Sequence, residues 1–89
     1  MKAVLTVTGR DNVGIIARVS ALCAEYGANI LEISQSVLKE YFAMIMLVDI
    51  QKLSIPFADF VDKMEQSGKE AGLDIRAMHE DVFNSMHHI

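Results

Sequence analysis

The segment Gly9-Arg10-Asp11-Asn12-Val13-Gly14-Ile15-Ile16-Ala17 joins two unlike stretches of chain. Before it, Lys2 to Thr8 is rich in β-branched residues; after it, Ile15, Ile16, Val19, Leu22, Cys23 and Tyr26 recur at helical spacing. The chemistry that such a strand–loop–helix junction can perform is capture of a small anion. The first turn of a helix offers N–H groups with no intrahelical acceptor, and the positive end of the helix dipole points the same way. Asp11 or Asn12 can cap this helix, and Gly27 can end it. Inside a helix Gly14 would cost stability relative to alanine, so its expected use is close approach of the backbone by a ligand or a neighbouring subunit. The plainer reading of Asp11 to Gly14 is a capping loop and nothing more.

Other chemistry has little to build on. Ser20 and Ser67 fall within helical patterns, and the chain contains no Gly-x-Ser-x-Gly, phosphate-binding P-loop, dinucleotide glycine fingerprint or Cys-x-x-Cys. No enzyme and no cofactor are expected. His79, His87 and His88, with Glu80 and Asp81, form the one cluster of metal-ligating types. Adjacent residues on a helix diverge by about 100°, so His87 and His88 cannot readily share an ion, and no metal site is expected. His79 reads as a structural residue at the start of the tail. Cys23 falls on the apolar side of its helix with nothing basic near it in sequence, which suits a reduced, packed thiol.

Composition narrows the partners. Twelve acidic and eight basic residues give a formal charge of −4, without a Lys or Arg cluster, which argues against direct binding of nucleic acid. No apolar run approaches the roughly 20 residues that span a bilayer, and no secretory h-region opens the sequence, so a cytoplasmic protein without membrane contact is expected. At 89 residues the chain is one small domain, with any regulatory effect passing to a separate molecule. Its 52% apolar share is slightly above the ordinary range, and the excess calls for a partner surface.

The elements that position the junction follow in order. Asn29 to Val37 reads as an edge strand, with Leu31, Ile33 and Val37 on one side and Glu32, Ser34 and Ser36 on the other. Tyr41 to Ile50 is an almost unbroken apolar run, read as a central strand covered on both faces. Ser54 can cap a second helix whose stripe is Phe57, Phe60, Val61, Met64, Gly68 and Ala71, ended by Gly72. Leu73 to Met78 alternates as a fourth strand, and Glu80 or Asp81 can start a short tail helix with Val82, Phe83, Met86 and Ile89 on one side. This βαββαβ order predicts an α+β, ferredoxin-like sandwich: four antiparallel strands, two helices on one face, and a C-terminal helix. Two helices cover one face of the sheet; the other needs the tail, another subunit or both, so a homodimer is expected.

The run Asp-x-x-Gly-Ile-Ile-Ala-x-Val-Ser-x-Leu from Asp11, followed by Glu25-x-Gly27-x-Asn29-Ile30, resembles the first half of the ACT domain. Ile33-Ser34-Gln35 and the ending His79-Glu80-Asp81-Val82-Phe83-Asn84-Ser85-Met86-His87 resemble small stand-alone bacterial ACT proteins of unassigned function. The resemblance implies an ACT domain over residues 1–80 and a helical tail over 81–89 that packs on the domain or its dimer partner. It implies a non-enzymatic regulatory module that binds an amino acid or similar small carboxylate between subunits. Asp11, Asn12, Val13, Gly14 and Ile15 of one chain and Asn29 and Ile30 of the other would then hold the ligand. Asp11 stands where some serine-binding members carry an amide, and Gly9 where they carry histidine. The alternative is a protein-interaction module docking on a metabolic enzyme or regulator without a metabolite, in the manner of the glycine-cleavage repressor group.

Overall fold

The computed structural model describes residues 1–10 and 14–86. Its elements are β1 (Lys2–Arg10), α1 (Ile15–Tyr26), β2 (Asn29–Leu38), β3 (Tyr41–Asp49), α2 (Phe57–Ala71), β4 (Asp74–His79) and α3 (Glu80–Met86). The four strands form one antiparallel sheet in the order β2-β3-β1-β4, which is the expected ferredoxin-like arrangement.

Alternation along the central strands builds the core. Ala3, Leu5 and Val7 of β1 lie opposite Val48, Met46 and Met44 of β3, so all six project from the same face of the sheet. Val19 and Cys23 of α1, with Phe60 and Met64 of α2, close over them, and every one of these residues is buried. Each large side chain sealed in this way contributes roughly 1.5–3 kcal/mol relative to its exposed form. Gly68 brings α2 close to β4: a β-carbon there would lie 2.9 Å from both Ile75 Cγ1 and the Leu73 carbonyl oxygen.

Several local expectations change. The N-cap of α1 is Gly14, left-handed (φ 87°, ψ 10°) and without a side chain to cap, so the glycine stands before the helix and not within it. Pro56 occupies the cap of α2, and Ser54 instead turns back to the end of α1, its N–H and Oγ donating to the Tyr26 carbonyl at 2.8 and 3.1 Å. Gly27 and Gly72 end the two long helices in left-handed conformation, as read. A register shift between Ile30 and Glu32 sets Leu31 out of step. Ile33 and Val37 then lie opposite Met46 and Phe42, facing the helix side, while Glu32 and Ser34 lie opposite Leu47 and Ile45 on the other face.

β3 is central, but within this chain it is not covered on both faces, because Tyr41 and Ile45 remain exposed. α3 packs against β1 and β4 with Phe83 half-buried, whereas Val82 and Met86 stay exposed, so the tail accounts for only part of the expected cover. The readings placed on Ile89, His87 and His88 lie outside the described residues.

Candidate functional site

β1 delivers the chain at the exposed Arg10, and α1 begins after Gly14, whose carbonyl accepts the first helical hydrogen bond from the Arg18 N–H at 2.9 Å. The N–H groups of Ile15, Ile16 and Ala17 have no intrahelical acceptor by helix geometry. No acidic residue in the first turn offsets the dipole. A β-carbon on Gly14 would meet nothing within 4 Å. Its glycine identity therefore follows from the positive φ, and no described residue crowds that position. Ile15 is 4% exposed and belongs to the core, so only its backbone faces that position. Asp11, Asn12 and Val13 lie outside the described residues.

Asn29 stands at the other end. It opens β2, is exposed, and lies opposite Asp49 of β3. With Gly27, Asp49, Gln51 and Lys52 it lines a hollow of about 400 Å³. The corner is held firmly: an ideal β-carbon on Gly27 would sit 2.5 Å from the Lys52 carbonyl oxygen, and Gln51 donates its backbone N–H to the Asp49 carboxylate at 2.8 Å. Ile30 packs half-buried against the core. Asp49, Gln51 and Lys52 had no sequence signal: Asp49 joins Asn29 through the β2–β3 register, and Gln51 and Lys52 through the approach of the β3–α2 connection to Gly27.

The four described residues among those read as ligand-binding thus fall into two pairs, Gly14 with Ile15 and Asn29 with Ile30, that one chain does not bring together. Gly14 and Asn29 lie beyond opposite ends of α1, whose 12 residues at about 1.5 Å each place them on the order of 18 Å apart. A third hollow, about 330 Å³ and walled by Thr8, Gly9, Ser36, Tyr41, Phe42 and Ala43, opens on the sheet near the β1 end of the junction.

The remaining candidates are structural. Cys23 is fully buried, and desolvation pushes its thiol from an ordinary 9.0 up to about 11, so it stays protonated at neutral pH. The His79 ring stacks on Phe57 at 4.1 Å between centroids, fixing the passage from β4 into α3. Among the described residues no group of three or more His, Cys, Asp or Glu side chains is disposed to hold a metal ion.

A βαββαβ sheet with a glycine-gated helix start beside its first strand defines a class, and comparison with known families agrees with it. The ACT domain family matches residues 2–78, and the chain belongs to that family, whose members are in general regulatory small-molecule-binding modules. A relative, the UPF0237 protein of the archaeon Methanopyrus kandleri, is 42% identical over 99% of this chain and 98% of its own length, so such proteins are not confined to bacteria. Among solved structures, an ACT domain protein from Streptococcus pneumoniae is 38% identical with a TM-score of 0.82, covering 93% of each chain. A putative glycine cleavage system transcriptional repressor shares the fold at 22% identity and a TM-score of 0.70, over 86% of this chain and 44% of its own.

Proposed function

We propose that the protein is a non-enzymatic sensor of an amino acid or similar small carboxylate, bound between two copies of the chain. The observation that carries this reading is the placement of the two half-sites around an unpaired edge. β2 is ten residues long and pairs only with β3 among the described residues. Apolar Leu31, Ile33 and Val37 along it, and Ile16 of α1, are left exposed. Antiparallel pairing of β2 with its copy would cover that flank and carry the Asn29 corner of one chain toward the helix start of the other. Asp11, Asn12 and the N–H groups from Val13 to Ile15 would then face Asn29 and the backbone of Ile30. The N–H groups suit a carboxylate, the Asp11 side chain suits an ammonium, and the Asn29 amide can donate and accept.

Calorimetry against the common amino acids and small carboxylates tests the reading. Wild type is expected to bind one of them; Asn29→Ala should weaken binding by roughly 0.5–1.5 kcal/mol for each hydrogen bond lost, with an unchanged fold, because Asn29 is exposed. Gly14→Val should abolish binding, through both volume and an unfavourable φ. A wild type that binds none of them, or a well-folded monomer at micromolar concentration, would replace this reading with the second one. In that reading the exposed Tyr41 and Ile45 dock on an enzyme or regulator without a metabolite.

A further inference from the structure

Antiparallel register carries Lys2 of β1, Asp49 of β3 and Asn29 of β2 across one end of the sheet in a single row. Lys2 lines a different hollow, together with His79, Glu80 and Asp81. On the Asn29 side, Asp49, Gln51 and Lys52 ring the recess of about 400 Å³ that reaches round to Gly27 at the end of α1. One oxygen of the Asp49 carboxylate, Oδ1, is fixed by the Gln51 backbone N–H at 2.8 Å. Among the described residues no donor reaches its other oxygen, and the side chains of Asn29, Gln51 and Lys52 form no hydrogen bond or ion pair. The recess thus brings together a carboxylate that can only accept, an ammonium that can only donate, and two amides that do both.

We propose that this recess reads the side chain of the ligand, and that the ligand is an amino acid whose side chain ends in a carboxamide. The inference rests on the sensor reading above: with the main-chain carboxylate held at the helix start of one copy, the side chain extends toward the Asn29 corner of the other. A carboxamide satisfies both charges at once. Its NH₂ donates to the open oxygen of Asp49, and its carbonyl accepts from Lys52 or from the Gln51 amide. A carboxylate in its place would meet Asp49 as a like charge, and an ammonium would meet Lys52 in the same way. An aliphatic side chain would cover Asp49 and Lys52 while giving neither a partner, which is costly for charged groups. A short hydroxyl side chain would leave most of the recess to water.

The hollow beside Tyr41, Phe42 and Ala43 would suit an apolar side chain, but its walls are strand residues alone. Thr8, Ala43 and Ser36 stand there in a row that alternates with core residues Val7 and Met44, on the face turned away from α1 and α2. The Asn29 recess, by contrast, includes the cap of α1 in its wall, so it opens toward the helix layer in which the anchoring N–H groups lie.

Calorimetry of the full chain with the common L-amino acids, on wild type and Asp49→Asn, tests the proposal. Wild type is expected to bind glutamine or asparagine roughly tenfold or more tighter than any other, the factor that one hydrogen bond to a charged group supplies. Asp49→Asn can keep its amide oxygen on the Gln51 N–H and turn its NH₂ into the recess, so circular dichroism should match wild type. The preference should then swing from glutamine toward glutamate by a similar factor. Tighter binding of an apolar, hydroxyl or charged amino acid by wild type, or of another small carboxylate alone, would overturn the carboxamide inference and leave the sensor reading standing. That ranking decides the matter even for a variant that fails to fold. A glutamine-to-glutamate ratio unmoved in folded Asp49→Asn would likewise overturn the role of the recess. No binding of any amino acid or small carboxylate would remove the sensor reading and this inference together.

Discussion

Neighbouring residues of β3 live in different surroundings. Phe42, Met44, Met46 and Val48 are sealed beneath the long helices, whereas Tyr41 and Ile45, equally apolar and interleaved with them, face outward. Hydrophobicity alone does not separate the two sets. Burial under α1 and α2 stabilises the fold of one chain, and an uncovered apolar set on the same strand stabilises nothing until a second surface arrives. The difference therefore separates what holds the monomer together from what remains for association.

Paired truncations give the largest test of that separation. Met46→Ala should cost about 2–5 kcal/mol by urea unfolding, because its cavity lies within close-packed surroundings. Ile45→Ala, measured at concentrations low enough to keep chains apart, should stay within about 0.5 kcal/mol of wild type. Comparable losses at both positions would break the comparison.

A smaller effect probes the sealed side through its thiol. The Cys23 pKa is raised in the folded chain, from 9.0 to about 11, so above pH 9 the unfolded chain loses this proton while the folded one keeps it. The stability linked to the group is complete below pH 9 and declines as pH rises through about 11. Chemical denaturation across that range should show a steeper decline for wild type than for Cys23→Ala. Equal slopes would mean that water reaches the layer beneath α1.

The smallest effect lies outside both faces. Arg18 reaches Glu70 at 3.9 Å and donates from Nε to Ser67 Oγ at 3.1 Å, linking the exposed sides of α1 and α2. Both charged side chains are substantially solvated, so Arg18→Ala should cost less than about 1 kcal/mol in a thermal melt.

Features governed by local rules were legible in the sequence. The stripes of α1 and α2, the glycines that end both helices and the edge position of β2 follow from spacing and backbone preference. Features set by the path of distant segments were not. Asp11 and Asn12 had the side chains for capping, but the N-cap position itself is a left-handed Gly14, and those two residues lie outside the described ones. Ser54 likewise had the chemistry of a cap and was taken up by Tyr26, 28 residues away. The irregularity between Ile30 and Glu32 takes Leu31 out of step with Ile33 and Val37, with no turn residue to announce it. Of the candidate site, the residue identities came from resemblance to a family. The separation of Gly14 from Asn29 follows from the length of α1, whereas the approach of the β3–α2 connection to Asn29 is set by tertiary packing that no local pattern encodes.

The tight crossing at Gly27 sets an order of events in time. Asn29 takes its position only when the Asp49–Lys52 connection has come within van der Waals reach of Gly27 and Ser54 has engaged Tyr26. That closure spans more than twenty residues and waits on the pairing of β2 with β3, so this corner matures late, whereas the start of α1 is a local structure that can form early. Once closed, the corner has little freedom left to lose. In the proposed complex a ligand would meet a surface already set, and the ordering cost of binding would fall on the ligand more than on the protein.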